Sequence, residues 1–264
     1  MISLILPTLG TREKEIKRLF NSLESQENKD FEVIIVSQDN HDKVEEYLEG
    51  RVFNYRHVKI NKKGLSIARN EGLKYVNGNI LTFSDDDCWY AQDAFEFIKI
   101  YFEKNKCQIA TFQHYDLEQQ QYPKQYQNTY IKKISKRDIL RKSSIDIFLD
   151  TKLVKDFQIG FDERFGVGGI YKSGEENIYL MDLYNKNYNI EYYPKIISYH
   201  PNKMKNKKLD KDYIKDKAPL FKRLFGSNLG LLMYIAFVIK KINQIDNYQY
   251  CIIEGIKVYR QFKI

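Results

Sequence analysis

The sequence predicts an α/β fold, with a mostly parallel central sheet flanked by helices and a helical C-terminal extension. Three observations carry this expectation. Short β-branched runs alternate with segments of helical apolar spacing through the first half of the chain. Polar groups stand at the ends of several of those runs, where open parallel sheets bind ligands. After residue 201 the alternation stops, and the chain turns basic, then apolar, then amphipathic. A hydrophobic content of 43% over 264 residues is enough to fill one large core, with an appendage besides.

The elements follow in order. Residues 2–6 are apolar, without the basic flank or the length of a signal peptide, and read as a first buried strand. A loop, Pro7-Thr8-Leu9-Gly10-Thr11-Arg12, leads to a helix over residues 13–25, whose Ile16, Leu19, Phe20 and Leu23 share one face. Residues 31–37 (FEVIIVS) form a buried strand, 42–48 a short helix and 57–60 a strand. A helix over residues 66–76 carries Ile67, Ala68, Leu73 and Val76 and is ended by Asn77-Gly78. Residues 80–84 make the next strand, 93–104 a helix and 109–113 another strand. Residues 116–133 are rich in Gln, Tyr and Lys and read as irregular, while 196–200 form a short strand-like run.

The most informative residues are Asp85, Asp86 and Asp87, at the end of the apolar run of residues 78–84. Adjacent carboxylates repel one another and cost stability unless a cation or several donors neutralise them. Oxygen ligands of this kind suit hard cations such as Mg²⁺ or Mn²⁺. A metal held there would face a phosphorylated ligand, although a solvated acidic turn has the same local sequence. Thr8 and Asp39 stand at two other strand ends, so three ends together mark one binding edge.

Composition narrows the partners. Cys88, Cys107 and Cys251 have no metal or disulfide spacing, which fits a reducing compartment. The net charge of +8 is concentrated, because residues 202–223 hold nine Lys or Arg against three Asp. That argues against a general nucleic-acid binder and for a local basic patch. Residues 229–239 are then uncharged and are followed by Lys240-Lys241. Eleven residues fall short of the roughly 20 that span a bilayer. An interfacial helix with basic flanks and a helix packed on the core both remain open.

Four pieces in order make the chain resemble a bacterial family 2 glycosyltransferase of the GT-A fold. They are Pro7-Thr8; Gly64-Leu65-Ser66-Ile67-Ala68-Arg69-Asn70-Glu71-Gly72; Asp85-Asp86-Asp87; and Phe161-Asp162-Glu163-Arg164-Phe165 leading to Gly174-Glu175-Glu176-Asn177. The resemblance implies a catalytic domain over residues 1–201, with a nucleotide-sugar half (1–110) and an acceptor half (111–201), and an extension over 202–264. It implies an inverting, metal-dependent transfer of a sugar from a nucleotide donor, with UDP the expected nucleotide, to a glycan acceptor. Bacterial surface polysaccharide is the expected pathway. By that analogy Asp87 ligates Mn²⁺ or Mg²⁺ and His200 completes its shell. Asp85 meets the ribose or uridine side, and Asp86 is open between the two roles. Pro7, Thr8, Arg12, Asp39 and Gly64 line the donor, and Arg69 is placed to approach phosphate. Gln38 and His41 depart from the family's usual pattern around Asp39 and leave the base open. In Glu175-Glu176 the second acid corresponds to the family's general base, so Glu176 is favoured over Glu175. The three glycines Gly166, Gly168 and Gly169 suggest a closely approached loop near the acceptor. The resemblance also implies a cytoplasmic enzyme at the inner face of the plasma membrane, with a polyprenyl-diphosphate-linked acceptor and membrane contact through residues 202–241. A sugar nucleotidyltransferase is the rival enzyme, but its Gly- and Arg/Lys-rich loop after the first strand is poorly matched by residues 7–12. A non-catalytic glycan-binding protein of the same fold is the other alternative.

Overall fold

A computed structural model describes residues 1–202 and 209–264. One eight-stranded sheet organises residues 1–199. Its strands are β1 (Ile2–Thr8), β2 (Phe31–Ser37), β3 (Asn54–Lys59), β4 (Ile80–Phe83), β5 (Trp89–Tyr90), β6 (Ile109–Tyr115), β7 (Ile147–Asp150) and β8 (Ile190–Tyr199). They lie in the order β3-β2-β1-β4-β7-β6-β8-β5. The β1–β2, β2–β3, β1–β4 and β6–β8 pairs are parallel. Strand β7 runs against both β4 and β6, and β5 runs against β8. The alternation in the first half correctly implied the parallel strands. It missed β7, whose four residues carry no period, and two-residue β5.

Helices α1 (Glu13–Glu24), α2 (His41–Leu48) and α4 (Ala94–Asn105) cover one face, where Phe20, Val44 and Phe95 meet Leu4, Val33 and Phe112. Helices α3 (Leu65–Leu73) and α6 (Glu175–Asn185) cover the other, where Ala68, Leu73, Ile178 and Leu180 meet Ile5, Ile34 and Phe83. A short helix, α5 (Lys136–Ile139), packs near α6. Burial on both faces explains why β1, β2 and β4 read as continuous apolar runs rather than alternating ones. The last strand is longer than residues 196–200 imply. Pro194 breaks its apolar pattern, and the sheet absorbs the proline where the β6–β8 register slips between the Thr111–Tyr192 and Gln113–Ile196 pairs.

The extension comprises α7 (Lys211–Lys240) and α8 (Tyr248–Gln261). Residues 203–208, which hold the first lysines of the basic segment, lie outside the described residues. Gly226, with φ 76° and ψ −178°, kinks α7 into two arms. On the first arm Leu220 and Leu224 join the core cluster of α3 and α6, as does Phe262 after α8. The second arm pairs with α8 through Tyr234 and Val238 against Cys251 and Tyr259. Tyr234 donates a 2.5 Å hydrogen bond to the Cys251 carbonyl and lies over Gly255, where any Cβ would collide with its ring. The extension therefore shares a core with the catalytic sheet at one end and has its own small core at the other.

Leu220 also presses on Gly174, the left-handed residue before α6, where a Cβ would come within 2.5 Å of it. Leu220→Ala should cost about 2–5 kcal/mol, the usual range for a large-to-small change in a core. Urea denaturation of the intact chain measures this, and a cost near zero would mean that the first arm of α7 does not share the core.

Candidate active site

The carboxyl ends of β1, β2 and β4 form one edge, and the expected polar groups gather there. Thr8 closes β1, and its hydroxyl donates to Asp86 at 2.7 Å while accepting from the Gly10 amide. Arg12, in the loop before α1, bonds Asp86 at 3.0 Å and Asp87 at 2.5 Å. Asp39 follows β2 on the same edge and pairs with Lys63. Gln38, beside it, accepts from the Gly64 amide at 2.6 Å and so ties β2 to the start of α3. Pro7 is paired within the sheet, opposite Val36.

Asp85, Asp86 and Asp87 follow β4 and fan out to different partners. Asp85 bonds Arg69 at 3.0 Å. Asp87 lies 3.1 Å from His200 Nε2, at the end of β8. One ligand atom each from Asp85, Asp87 and His200 fall within 4.8 Å of one another. Asp86 is turned away toward Thr8 and Arg12, so it is Asp85 that stands with Asp87 and His200. Burial pushes the Asp86 carboxyl up, and the Thr8 and Arg12 contacts only partly offset it. Burial also works to raise Asp87, but His200 and Arg12 outweigh it and hold that carboxyl low.

Arg69 departs from its expected role. It lies in the first turns of α3 as the sequence implied, but its side chain is 1% exposed. Its guanidinium donates to Asp85 and to Glu175 at 3.0 Å each and to the Ser144 hydroxyl at 2.8 Å. It also sits 5.3 Å from the Phe161 ring centre. A buried cation needs such partners, and these leave it committed to carboxylates rather than reaching for a phosphate. Its Nε has no hydrogen-bond partner among the described residues.

Glu175 and Glu176 open α6, where helix-end amides favour negative charge. Glu175 is buried and bound to Arg69. Glu176 is only partly buried by its surface, and it has no ion pair among the described residues. Burial first, and the Glu175 charge second, push its carboxyl well up from the ordinary range. The glycine loop that precedes α6 packs on the start of α3. The Leu65 amide donates to the Val167 carbonyl, and the Ser66 hydroxyl to that of Phe165. Gly166 and Gly168 have positive φ, and a Cβ at Gly168 would come within 3.0 Å of Gly64. The loop is therefore closely approached, as its glycines suggested.

The charge pattern fits a divalent cation. Asp85, Asp86, Asp87 and Glu175 carry four negative charges, against two from Arg12 and Arg69. Arg18 donates to the Asp87 carbonyl but pairs with Glu118. With His200 as a neutral ligand, two negative charges remain uncompensated among the described residues, next to an oxygen-and-imidazole donor set that suits Mn²⁺ or Mg²⁺.

A second layer supports this one and had no signal in the sequence. His114 on β6 lies 6.0 Å from His200, ring centre to ring centre, and bonds buried Asp146 at 2.6 Å. Lys124 bonds the other Asp146 oxygen at 3.1 Å. Burial works to raise the Asp146 carboxyl, but the His114 and Lys124 contacts outweigh it and hold it well down. These residues come from three separate segments, so no local motif unites them.

The fold and the site define a GT-A-like glycosyltransferase. The family model for glycosyl transferase family 2 matches residues 3–214, and the chain belongs to that family. Two curated relatives are Glycosyltransferase GlyA of Streptococcus pneumoniae serotype 4, 30% identical over 117 residues, and Minor teichoic acid biosynthesis protein GgaB of Bacillus subtilis, 31% identical over 114. Those alignments cover 43% and 40% of this chain but only 17% and 12% of the relatives. Among solved structures, S. aureus TarS 1-349 is similar at a TM-score of 0.67 and 18% identity, over 98% of this chain and 89% of that one. TarS has also been solved with UDP and with UDP-GlcNAc. Mannosyltransferase PcManGT from Pyrobaculum calidifontis, in complex with GDP-Man and Mn²⁺, is similar at a TM-score of 0.59 and 13% identity, over 97% and 73% of the two chains.

Removing Arg69 would strand buried Glu175 without its cation. Arg69→Ala should destabilise the fold by about 3–5 kcal/mol, the cost of breaking a buried ion pair from one side. Chemical denaturation tests this, and a loss under about 1 kcal/mol, the range of an exposed pair, would show that the pair is solvated.

Proposed function

We propose that this glycosyltransferase moves a sugar, with inversion, from a nucleotide donor to a glycan acceptor in bacterial surface polysaccharide synthesis. The observation that carries this reading is the Asp85–Asp87–His200 cluster, tied through Arg69 to the start of the helix that bears Glu176. UDP is the nucleotide proposed, in line with the ligands of the TarS structures. Thr8, Asp39 and the turn at Gly64 form the wall for the nucleoside. Arg12 is half-exposed and would face the diphosphate. Asp87, His200 and Asp85 would hold Mn²⁺ or Mg²⁺, which supplies positive charge to the departing diphosphate.

Glu176 is the proposed base. The acceptor hydroxyl gives its proton to Glu176 as its oxygen attacks the anomeric carbon, and the bond to the nucleoside diphosphate breaks on the opposite face. Glu175 cannot serve as readily, since Arg69 already holds its carboxylate. Arg69 is thus a positioning residue. It fixes Asp85 on the donor side relative to the helix that carries Glu176. The raised Glu176 carboxyl sets the pH dependence: the base works only when deprotonated, so kcat/KM should climb with pH and level off once the proton is lost.

The extension supports docking at the cytoplasmic face of a membrane, where a polyprenyl-diphosphate-linked acceptor would lie. By length and composition α7 could cross a bilayer, but its first arm is bound into the core. The second arm, residues 227–240, would span only about 21 Å at 1.5 Å per residue, short of the roughly 30 Å of a hydrocarbon core. Its outer face leaves Leu229, Leu232 and Ile239 at 52%, 65% and 59% exposure, with Ile253 of α8 at 55%. Lys240, Lys241 and Lys257 flank that stripe. An apolar stripe with basic flanks fits an anionic lipid surface.

Asp87→Ala should abolish Mn²⁺-dependent UDP binding with the fold intact, and unchanged affinity by calorimetry would remove Asp87 from the metal. Glu176→Gln should bind donor normally but lose about 10²–10⁴-fold in transfer, together with the rising limb of the pH profile. If Glu175→Gln shows that loss and Glu176→Gln does not, the base is the neighbour. Leu232→Glu should weaken sedimentation of the full chain with phosphatidylglycerol vesicles, and equal sedimentation of both proteins would detach the hairpin from the membrane reading.

A further inference from the structure

A small solvent-open cavity lies beside the acceptor half of the sheet, lined by Lys124, Tyr126, Arg141, Lys142 and Tyr192 among others. None of these residues belongs to the donor edge. Lys142 is 9% exposed, and its ammonium lies 4.3 Å from the centre of the Tyr192 ring. No hydrogen bond or ion pair to that ammonium is found among the described residues. Burial pushes its pKa down to about 8, Asp146 working against the shift and Lys124 with it. The ammonium keeps access to the cavity rather than being sealed in, and an entering oxyanion would give it charge-assisted hydrogen bonds. Arg141, beside it, is exposed. The Tyr126 and Tyr192 rings lie parallel, 3° apart in plane and 6.4 Å between centres, and give the cavity an apolar wall.

Two links tie the cavity to the site already described. Asn177, the residue after Glu176, donates to the carbonyls of Ile139 at 2.9 Å and Lys142 at 3.2 Å. The segment bearing Lys142 is thus fastened to the helix that bears the proposed base. Lys124 reaches His114, and through it the vicinity of His200, by way of Asp146.

We infer that this cavity receives an oxyanion carried on the acceptor, a phosphate or a carboxylate, so that the acceptor is an anionic glycan. The inference rests on the transferase reading and names the acceptor class for it. Lys142 supplies the charge at depth, Arg141 the charge at the rim, and the tyrosine pair the surface for the attached glycan.

The test uses the full chain in EDTA, which keeps phosphate from binding through a metal. Glycerol 3-phosphate, glucuronate and neutral glucose are titrated and followed by amide NMR shifts. Saturable binding of at least one charged probe, with glucose silent, is expected. Lys142→Met should lower that affinity about tenfold or more, Lys142→Arg should restore most of it, and Arg141→Ala gives an independent exposed variant with a smaller loss. Thermal melting checks that each variant is folded. Binding by phosphate but not glucuronate, or the reverse, identifies which oxyanion the acceptor carries. Equal binding of glucose, no saturable binding, or unchanged affinity in both Lys142→Met and Arg141→Ala overturns the inference. Mn²⁺-dependent UDP binding is measured on the same samples. If it is present while the charged probes fail, only the cavity is rejected. If the probes bind through Lys142 and UDP does not bind, the transferase reading fails while the oxyanion cavity stands.

Discussion

The site depends on one buried cation. Arg69 is held inside the protein by Asp85 and Glu175, and each of those carboxylates is held in turn by Arg69. Burial makes the Arg69–Glu175 half of the arrangement strict, because neither of those charges can lose its partner cheaply, whereas Asp85 keeps contact with solvent. Asp85 follows strand β4, and Glu175 opens helix α6. A single guanidinium therefore sets the distance between the two halves of the site. It also occupies Glu175, while Glu176 has no ion pair among the described residues.

The charges around this strut explain the rest of the edge. Arg12 covers Asp86 and Asp87 from the solvent side, and His200 approaches Asp87 from the end of β8. With His200 neutral, the balance among the described residues is negative by two: one more cationic side chain would leave a negative charge, whereas a divalent cation would match it. Arg12 is half-exposed and held by two contacts on the solvent side. Arg69 has no such exposure.

Much of the donor edge was legible in the sequence. The aspartate run after an apolar segment, the polar ends of the first two strands and the α3 helix all rest on short-range pattern, which β/α alternation makes visible. The second half was harder to read. Strand β7 is four residues long, β8 is interrupted by Pro194, and the region between β6 and β7 holds its shape by long-range bonds such as His114–Asp146. The division of labour among the three aspartates was also hidden, since neighbours in sequence point to different partners only once the chain is folded. Arg69 gave a misleading local signal: a cation near a helix start suggests an anionic ligand, but here the anions are the protein's own side chains. The extension was open between membrane and core, and the kink at Gly226 shows why. One arm of α7 is core, while the other keeps an exposed apolar stripe.

The central claim is that a divalent cation completes the acidic cluster and carries donor binding. Calorimetric titration of the intact chain with UDP, once in Mn²⁺ and once in EDTA, tests it most directly. The affinity is expected to be higher by about tenfold or more in Mn²⁺, a difference of at least about 1.4 kcal/mol. Equal affinity in the two buffers would contradict it.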